Sequence, residues 1–422
     1  MFGRLDKHLI KVVDGIKSIR VLRQERQYSR LFWSGLINGI GDRFSQVAIL
    51  SLLLSLTGSG AAVGITFAVR LIPYFVFGPL GGFIADRFSK RNMMIITDLV
   101  RVWFALIPLF VHDASDVWMI YVSSFLLSAG EALYAPARMS AIPQIVQKDN
   151  LLSINGLEQV MLGIVLIGGS VTGSVVSATV GVHASFVLNA LSFLLSALFL
   201  AQIKIPMPTA KSTAQQPKTG SVRLGSLNEL RKLIPESPFT RMMLLVFLVT
   251  PIGDGIFNIL LSVYAVEVFE MGDIGIGVMY GALGFGLVFG SGILGRFAGH
   301  MRIAVVSLLL VEGSINMIIS QSSSFVIVAI LLILTASCGS IGNACKRTIL
   351  MKEVPAHLQG QFFGMLATFQ NTIMGTSMFA AGFLLEIIAP RTVGFAGGTL
   401  LVVIGTAFAS MLLWKSSKKT IT

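Results

Sequence analysis

Charge is scarce in this chain. Only 12% of its 422 residues are Asp, Glu, Lys or Arg, and 54% are hydrophobic. A soluble domain carries about 25% charged residues, so an ordinary water-exposed surface is excluded. Cysteine and histidine are scarcer still, at two and five. Cys338 and Cys345 share one apolar run. Their separation is roughly 10 Å along a helix, too long for a disulfide. The histidines are scattered, and no metal-ligand cluster, nucleophile–His–acid set or nucleotide-binding loop is visible. These absences argue against hydrolytic, metal-dependent and ATP-driven chemistry. No cofactor, no metal and no enzymatic activity is expected.

Apolar length is what the chain has in abundance. A bilayer core takes roughly 20 apolar residues per helix. The pattern predicts an all-α polytopic membrane protein. Its spans fall near 31–56, 62–85, 92–111, 117–137, 151–180, 183–202, 239–266, 274–297, 303–321, 325–345, 359–388 and 393–414. Residues 1–30 read as a basic amphipathic arm on the membrane surface. The polar linker 203–238 carries Pro206, Pro208, Pro217, Pro235 and Pro238, with a short surface helix expected over Leu227 to Ile234. It separates two six-helix bundles, 31–202 and 239–414, and 415–422 forms a tail. Tight turns at Thr57-Gly58-Ser59-Gly60 and Gly181-Val182 make their flanking helices antiparallel neighbours.

Basic residues outnumber acidic ones by 32 to 20, and their placement assigns a direction. With these spans, and counting Arg241 and Arg296 at the inner span ends with the loops beside them, all but four fall on one face. Arg391 falls on the other, while Arg43, Arg70 and Arg101 fall inside spans. The positive-inside rule makes the basic face cytoplasmic and places both termini there, in the cytoplasmic membrane. The charge is therefore a topology signal. Membrane lipids are its expected partners, and nucleic acid is not.

The halves carry a weak repeat. Ile40-Gly41-Asp42 recurs as Ile252-Gly253-Asp254, Arg138 falls opposite Lys346, and Gly156 opposite Gly364. Such a repeat fits two halves related by an axis along the membrane normal, with a site between them.

The most specific stretch is Gly81-Gly82-Phe83-Ile84-Ala85-Asp86-Arg87-Phe88-Ser89-Lys90-Arg91, between the second and third spans. Its pattern G-x-x-x-D-R-x-S-K-R resembles the loop between helices 2 and 3 of major facilitator superfamily transporters, with Ser89 where glycine is commoner. Gly41-Asp42, Leu56-Thr57-Gly58-Ser59, Pro73 and Phe77-Gly78-Pro79 resemble the twelve-span drug and macrolide efflux branch. So do Asp98-Leu99-Val100-Arg101, Tyr134-Ala135-Pro136-Ala137-Arg138 and Ile142-Pro143. The resemblance implies twelve transmembrane helices in two pseudo-symmetric bundles and a chain that works as a monomer. It also implies alternating-access export of amphipathic small molecules, with protons as the coupling ion. Gly82, Asp86, Arg87, Lys90 and Arg91 then form a cytoplasmic gate, supported by Asp98, Arg101 and Arg138. Asp86 is expected to meet the 359–388 span near Gly360. Span four has no arginine before Arg138, and span five has Gly163, Gly168, Gly169 and Gly173 but no proline. Proton antiport therefore follows from the branch and not from motifs in those spans.

Ionisable residues inside spans are costly and mark functional positions. Asp42, Arg43, Arg70, Glu131, Asp254 and Glu312 are the candidates for proton or substrate binding. Counting inward from the span ends puts Asp42 and Arg70 at similar depth, which predicts that they pair. The plain alternative is a fixed ion pair with no transport role. Glu158, at the start of span five, reads as structural. Rival functions are siderophore export, lysophospholipid movement, and a non-transporting sensor or scaffold.

Overall fold

The computed structural model describes residues 21–57, 60–205, 238–356 and 358–419. Most of the expected basic arm, Gly58-Ser59 of the first turn, the linker with its expected surface helix, and the last three residues of the tail lie outside the described residues.

The described residues are α-helical, without a strand among them. The helices are α1 (Arg26–Thr57), α2 (Gly60–Arg87), α3 (Lys90–Leu106), α4 (Val117–Ile145), α5 (Leu151–Ile164), α6 (Ser170–Thr179) and α7 (Val182–Ala201). After the linker come α8 (Pro238–Val263), α9 (Gly272–Ile293), α10 (Met301–Gln321), α11 (Phe325–Glu353), α12 (Gln359–Leu385) and α13 (Pro390–Lys419). A π-helical turn, Val165–Gly169, joins α5 to α6, and another, Tyr264–Val268, ends α8. Among the described residues, ten stretches are long and apolar enough to cross a membrane. The expected spans at 62–85 and 359–388 form α2 and α12, which are outside those ten. α12 carries Gln361, Gln370, Asn371, Thr372, Thr376 and Ser377, a polar load that lowers its mean hydropathy.

Two helices run past the expected span ends. α4 continues to Ile145 and α11 to Glu353. Arg138, Lys346 and Arg347, expected in inner loops, therefore lie within helices. Arg138 meets Glu158 there and Lys346 meets Thr250, so neither helix has reason to stop at its first cation.

Packing repeats between the halves. α1 lies on α7 and α6, α2 on α4, and α3 on α4 and α7. In the second half α8 lies on α13 and α12, α9 on α11, and α10 on α11 and α13. The halves meet where α2 lies along α12 and α5 along α9. Glycine makes both seams close, as small residues do between helices in lipid. A Cβ on Gly82 would stand 2.5 Å from the Gly360 carbonyl oxygen, and one on Gly364 would stand 2.6 Å from that of Gly78. A Cβ on Gly163 would stand 2.6 Å from the Gly284 oxygen. Polar bonds also cross between the halves. Thr368 Oγ1 donates to the Tyr74 carbonyl (2.9 Å), Ser291 Oγ to that of Gly156 (2.9 Å), and Asn155 Nδ2 to Thr348 Oγ1 (3.0 Å). The α6–α7 turn needs its glycine, because Gly181 has φ +103°.

These contacts predict opposite outcomes for two matched substitutions. Gly364→Ala forces α2 and α12 apart and should cost about 1–3 kcal/mol. Gly277→Ala in α9 meets nothing within 4 Å and should be neutral or stabilising by up to about 1 kcal/mol. Thermal unfolding of the detergent-solubilised variants checks both.

Candidate functional site

The largest fully buried side chain is Arg101 of α3. Its stem runs past Gly130 of α4, where a Cβ would stand 2.7 Å from the Arg101 Cδ and Cγ. The guanidinium gathers acids from three helices. Arg101 Nη2 donates to Asp42 Oδ2 of α1 at 2.8 Å. Arg101 Nη1 lies 3.0 Å from Glu131 Oε2 of α4 and 3.8 Å from Asp98 Oδ1, one turn back on α3. The Phe193 ring of α7 covers the guanidinium at 4.2 Å. Only 2% of the arginine side chain is exposed, against 26% for Asp42 and 35% for Glu131. The cation is thus sealed, while two of its carboxylates keep an open edge.

Asp98 is fully enclosed. Asn38 Nδ2 donates to its Oδ1 (3.1 Å) and Ser196 Oγ to its Oδ2 (2.5 Å). Ser34 links Ser196 (2.7 Å) to the Tyr134 hydroxyl (3.4 Å). This chain of bonds joins α1, α3, α4 and α7. Gly41, beside Asp42, lets α1 approach α7, since a Cβ there would stand 2.6 Å from Ser192 Cβ.

The expected Asp42–Arg70 pair is not what forms, because Arg101 takes Asp42. Equal depth along two helices does not fix the direction a side chain faces around either of them. α1 and α2 adjoin in sequence yet pack lightly, and the long Arg101 side chain reaches Asp42 from α3. Arg70 instead lies within electrostatic range of Arg43. Arg43 packs its Cβ against Gly169 of the π-turn and donates to Gln46 Oε1 (2.9 Å). Glu131 of α4 likewise belongs to the Arg101 cluster.

At the other end of the first half, Asp86 stands where its motif predicted, against Gly360. Its Oδ1 accepts from the Gly360 N–H and its Oδ2 from the Gln361 N–H, each at 2.8 Å. The carboxylate thereby meets the positive end of the α12 dipole and satisfies two N–H groups that have no partner inside the helix. Arg87 lies over the Phe83 ring at 4.0 Å. Lys90 is buried, within electrostatic range of Asp86. Arg91 donates to the Leu200 carbonyl (3.3 Å) and that of Ala201, closing the end of α7. Ser89 caps α3 by accepting from the Asn92 N–H (3.3 Å), which a glycine there could not do. Arg138 pairs with Glu158 of α5, and Tyr28 donates to the same carboxylate (2.6 Å).

In the second half, Asp254, Glu312 and Lys346 line one small cavity. Lys346, one residue past the expected end of its span, and Arg101, expected only in a supporting part, are the central cations of the two clusters. The Asp98-x-x-Arg101 spacing, a charged i,i+3 pair inside a span, was the signal available for the second.

A family model described as Major Facilitator Superfamily matches residues 31–376. Macrolide efflux protein A of Streptococcus pyogenes is 21% identical over 385 residues, covering 88% of this chain and 93% of that protein. The MFS-type transporter YfiS of Bacillus subtilis is 23% identical over 399 residues, covering 91% and 93%. The crystal structure of the human organic anion transporter MFSD10 superposes with a TM-score of 0.73 at 13% identity, covering 91% of this chain and 99% of that one.

Removing the central cation tests the cluster. Arg101→Met leaves three carboxylates facing one another and should lower stability by about 3–5 kcal/mol. Arg101→Lys keeps the charge but loses the planar fork that serves separate acids, and should fall between. Denaturation of the purified variants in detergent measures the order.

Proposed function

The chain belongs to the Major Facilitator Superfamily, and on that premise we propose that it exports amphipathic small molecules of the drug or macrolide type, driven by protons. It is a multi-pass membrane transporter. The likeness to macrolide efflux protein A supports the substrate class. One observation carries the mechanism: a sealed Arg101 held by Asp42 and Glu131, two carboxylates whose edges stay open. A carboxylate in that setting exchanges a proton for its ion pair. Protonating Asp42 frees one arm of the guanidinium and loosens the tie between α1 and α3. Arg43 and Arg70 add positive charge nearby, so the site repels cations until a carboxylate is ionised.

Alternating access then works as rocking of the bundle 31–202 against the bundle 239–414. The face carrying Asp86 is the cytoplasmic one. Asp86 on the start of α12 holds that face shut, and the glycine seam of α2 and α12 lets the halves close fully. Gly82, Arg87, Lys90 and Arg91 keep the α2–α3 corner rigid, so that Asp86 is presented at a fixed height. Proton entry from the opposite face loads the cluster, and release to the cytoplasm returns it.

Two experiments test this reading. Drug-susceptibility profiling of an efflux-deficient host should show raised tolerance to amphipathic drugs, and Asp42→Asn should abolish accumulation against a gradient while leaving downhill movement. A flat drug profile points instead to a siderophore, a lysophospholipid or a scaffold, and retained uphill export removes Asp42 from coupling. Asp86→Asn exchanges one accepting oxygen for a donor facing a peptide N–H. Losing a charge-assisted bond of about 1.5–3 kcal/mol should cut export roughly tenfold or more at unchanged membrane abundance. Wild-type export in that variant overturns the gate.

A further inference from the structure

The second half contains a charged cluster that the Asp42–Arg101–Glu131 group does not touch. Lys346 of α11 is 6% exposed. Its Nζ donates to Thr250 Oγ1 at 3.4 Å and stands 5.1 Å from the centre of the Phe247 ring. The ammonium borders a cavity of about 20 Å³ shared with Asp254 of α8 and Glu312 of α10. Such a volume holds about one water molecule. Among the described residues, neither carboxylate makes a hydrogen bond, and neither comes within the 4.0 Å of an ion pair with Lys346. In the first half the cation touches its acids, at 2.8 and 3.0 Å. Here it is held off, with room for water between.

The charges do not balance. Two carboxylates face one ammonium. Of the other titratable groups around them, Cys338 lies beside Glu312 and Cys345 beside Lys346. Arg347, next along α11, also acts on Lys346, but it faces Glu158 and Arg138 across the seam. α13 contributes only Leu401 to the cavity wall. With every group ionised, the three cavity residues carry one excess negative charge in a low-dielectric place, which is costly to leave uncompensated. One added proton cancels it. The cavity is too small for a drug-sized ligand.

We propose that Asp254, Glu312 and Lys346 form a proton-binding site of the second half, in which Glu312 holds the proton and Asp254 passes it to and from open water. The two acids are unequally placed. Asp254 is exposed and Glu312 only partly so, its Oε1 3.5 Å from where a side chain on Gly339 would begin. The proton leaves a water molecule for the Asp254 carboxylate, crosses by the cavity water to a Glu312 oxygen, and returns to water by the same route. Only O–H bonds form and break. Lys346 stays an ammonium throughout and holds the ionised state when the proton is gone. This role deepens the proton-driven reading above and rests on it for its use in transport, but the site itself is tested without transport.

Infrared difference spectroscopy of the full-length protein in lipid, with pH stepped through neutrality, reads the carboxylic-acid carbonyl band directly. The wild type should show such a band, lost as pH rises. Glu312→Gln should remove it, Asp254→Asn should shift its midpoint, and Asp42→Asn should leave it in place. Lys346→Met should strengthen it and hold it to higher pH, because the ionised Glu312 carboxylate then loses its nearby opposite charge. This last variant decides the matter if Glu312→Gln does not fold. A band unchanged in Glu312→Gln, or unstrengthened in Lys346→Met, overturns the site. Loss of uphill export in Asp42→Asn with the Glu312 band intact separates the two clusters. Wild-type protein that carries the band but exports nothing uphill defeats the coupling reading and leaves the site standing.

Discussion

A guanidinium cannot stand bare inside a bilayer, and much of the first half is arranged to meet that constraint. Arg101 is sealed to 2% exposure, so its charge must be answered by protein. α1 answers with Asp42, α4 with Glu131, and α3 itself with Asp98. α7 supplies the Phe193 face, and Gly130 withholds a side chain so that the arginine stem can pass. Four helices are thus tied at one point. Asp98 is oriented in turn by the Asn38–Asp98–Ser196–Ser34–Tyr134 chain. The second half solves a similar problem with a looser arrangement. Lys346 has a single long hydrogen bond and a small cavity in place of contact pairs. One half is built around a locked cation and the other around a loosely held one, although their helices pack in the same pattern.

The fold was legible because its signals are one-dimensional. Apolar length locates helices, and the short Gly181-Val182 turn makes α6 and α7 neighbours. The contact at Gly360 was legible through the Asp86 motif. The pairing of Asp42 was not. Depth along a helix can be counted from its ends, but the angle a side chain faces depends on which helix packs beside it. α1 lies on α7 and only lightly on α2, a fact of assembly that no span length encodes. The overrun of α11 misled for a related reason. A lysine after an apolar run looks like a membrane boundary until Thr250, Asp254 and Glu312 are found around it.

The seam between the halves depends on absent side chains as much as on bonds. Gly78, Gly82, Gly360 and Gly364 bring the α2 and α12 backbones together, and Gly163 and Gly284 do the same for α5 and α9. In lipid there is little hydrophobic gain from bringing helices together, so dispersion contacts at short range and a few bonds must hold the halves. Such a seam is close enough to exclude water and has few specific bonds to break when it opens.

The Asp86 carboxylate grips main chain, not side chains, and this bears on how such a protein varies over descent. Any residue but proline supplies a peptide N–H, so position 361 can drift through most of the amino-acid alphabet with its half of the contact intact. Position 360 has no such freedom, because a side chain there would strike the carboxylate itself. The joint therefore depends on one acid and on the glycines at 82 and 360, while the side chain at position 361 is left free to vary.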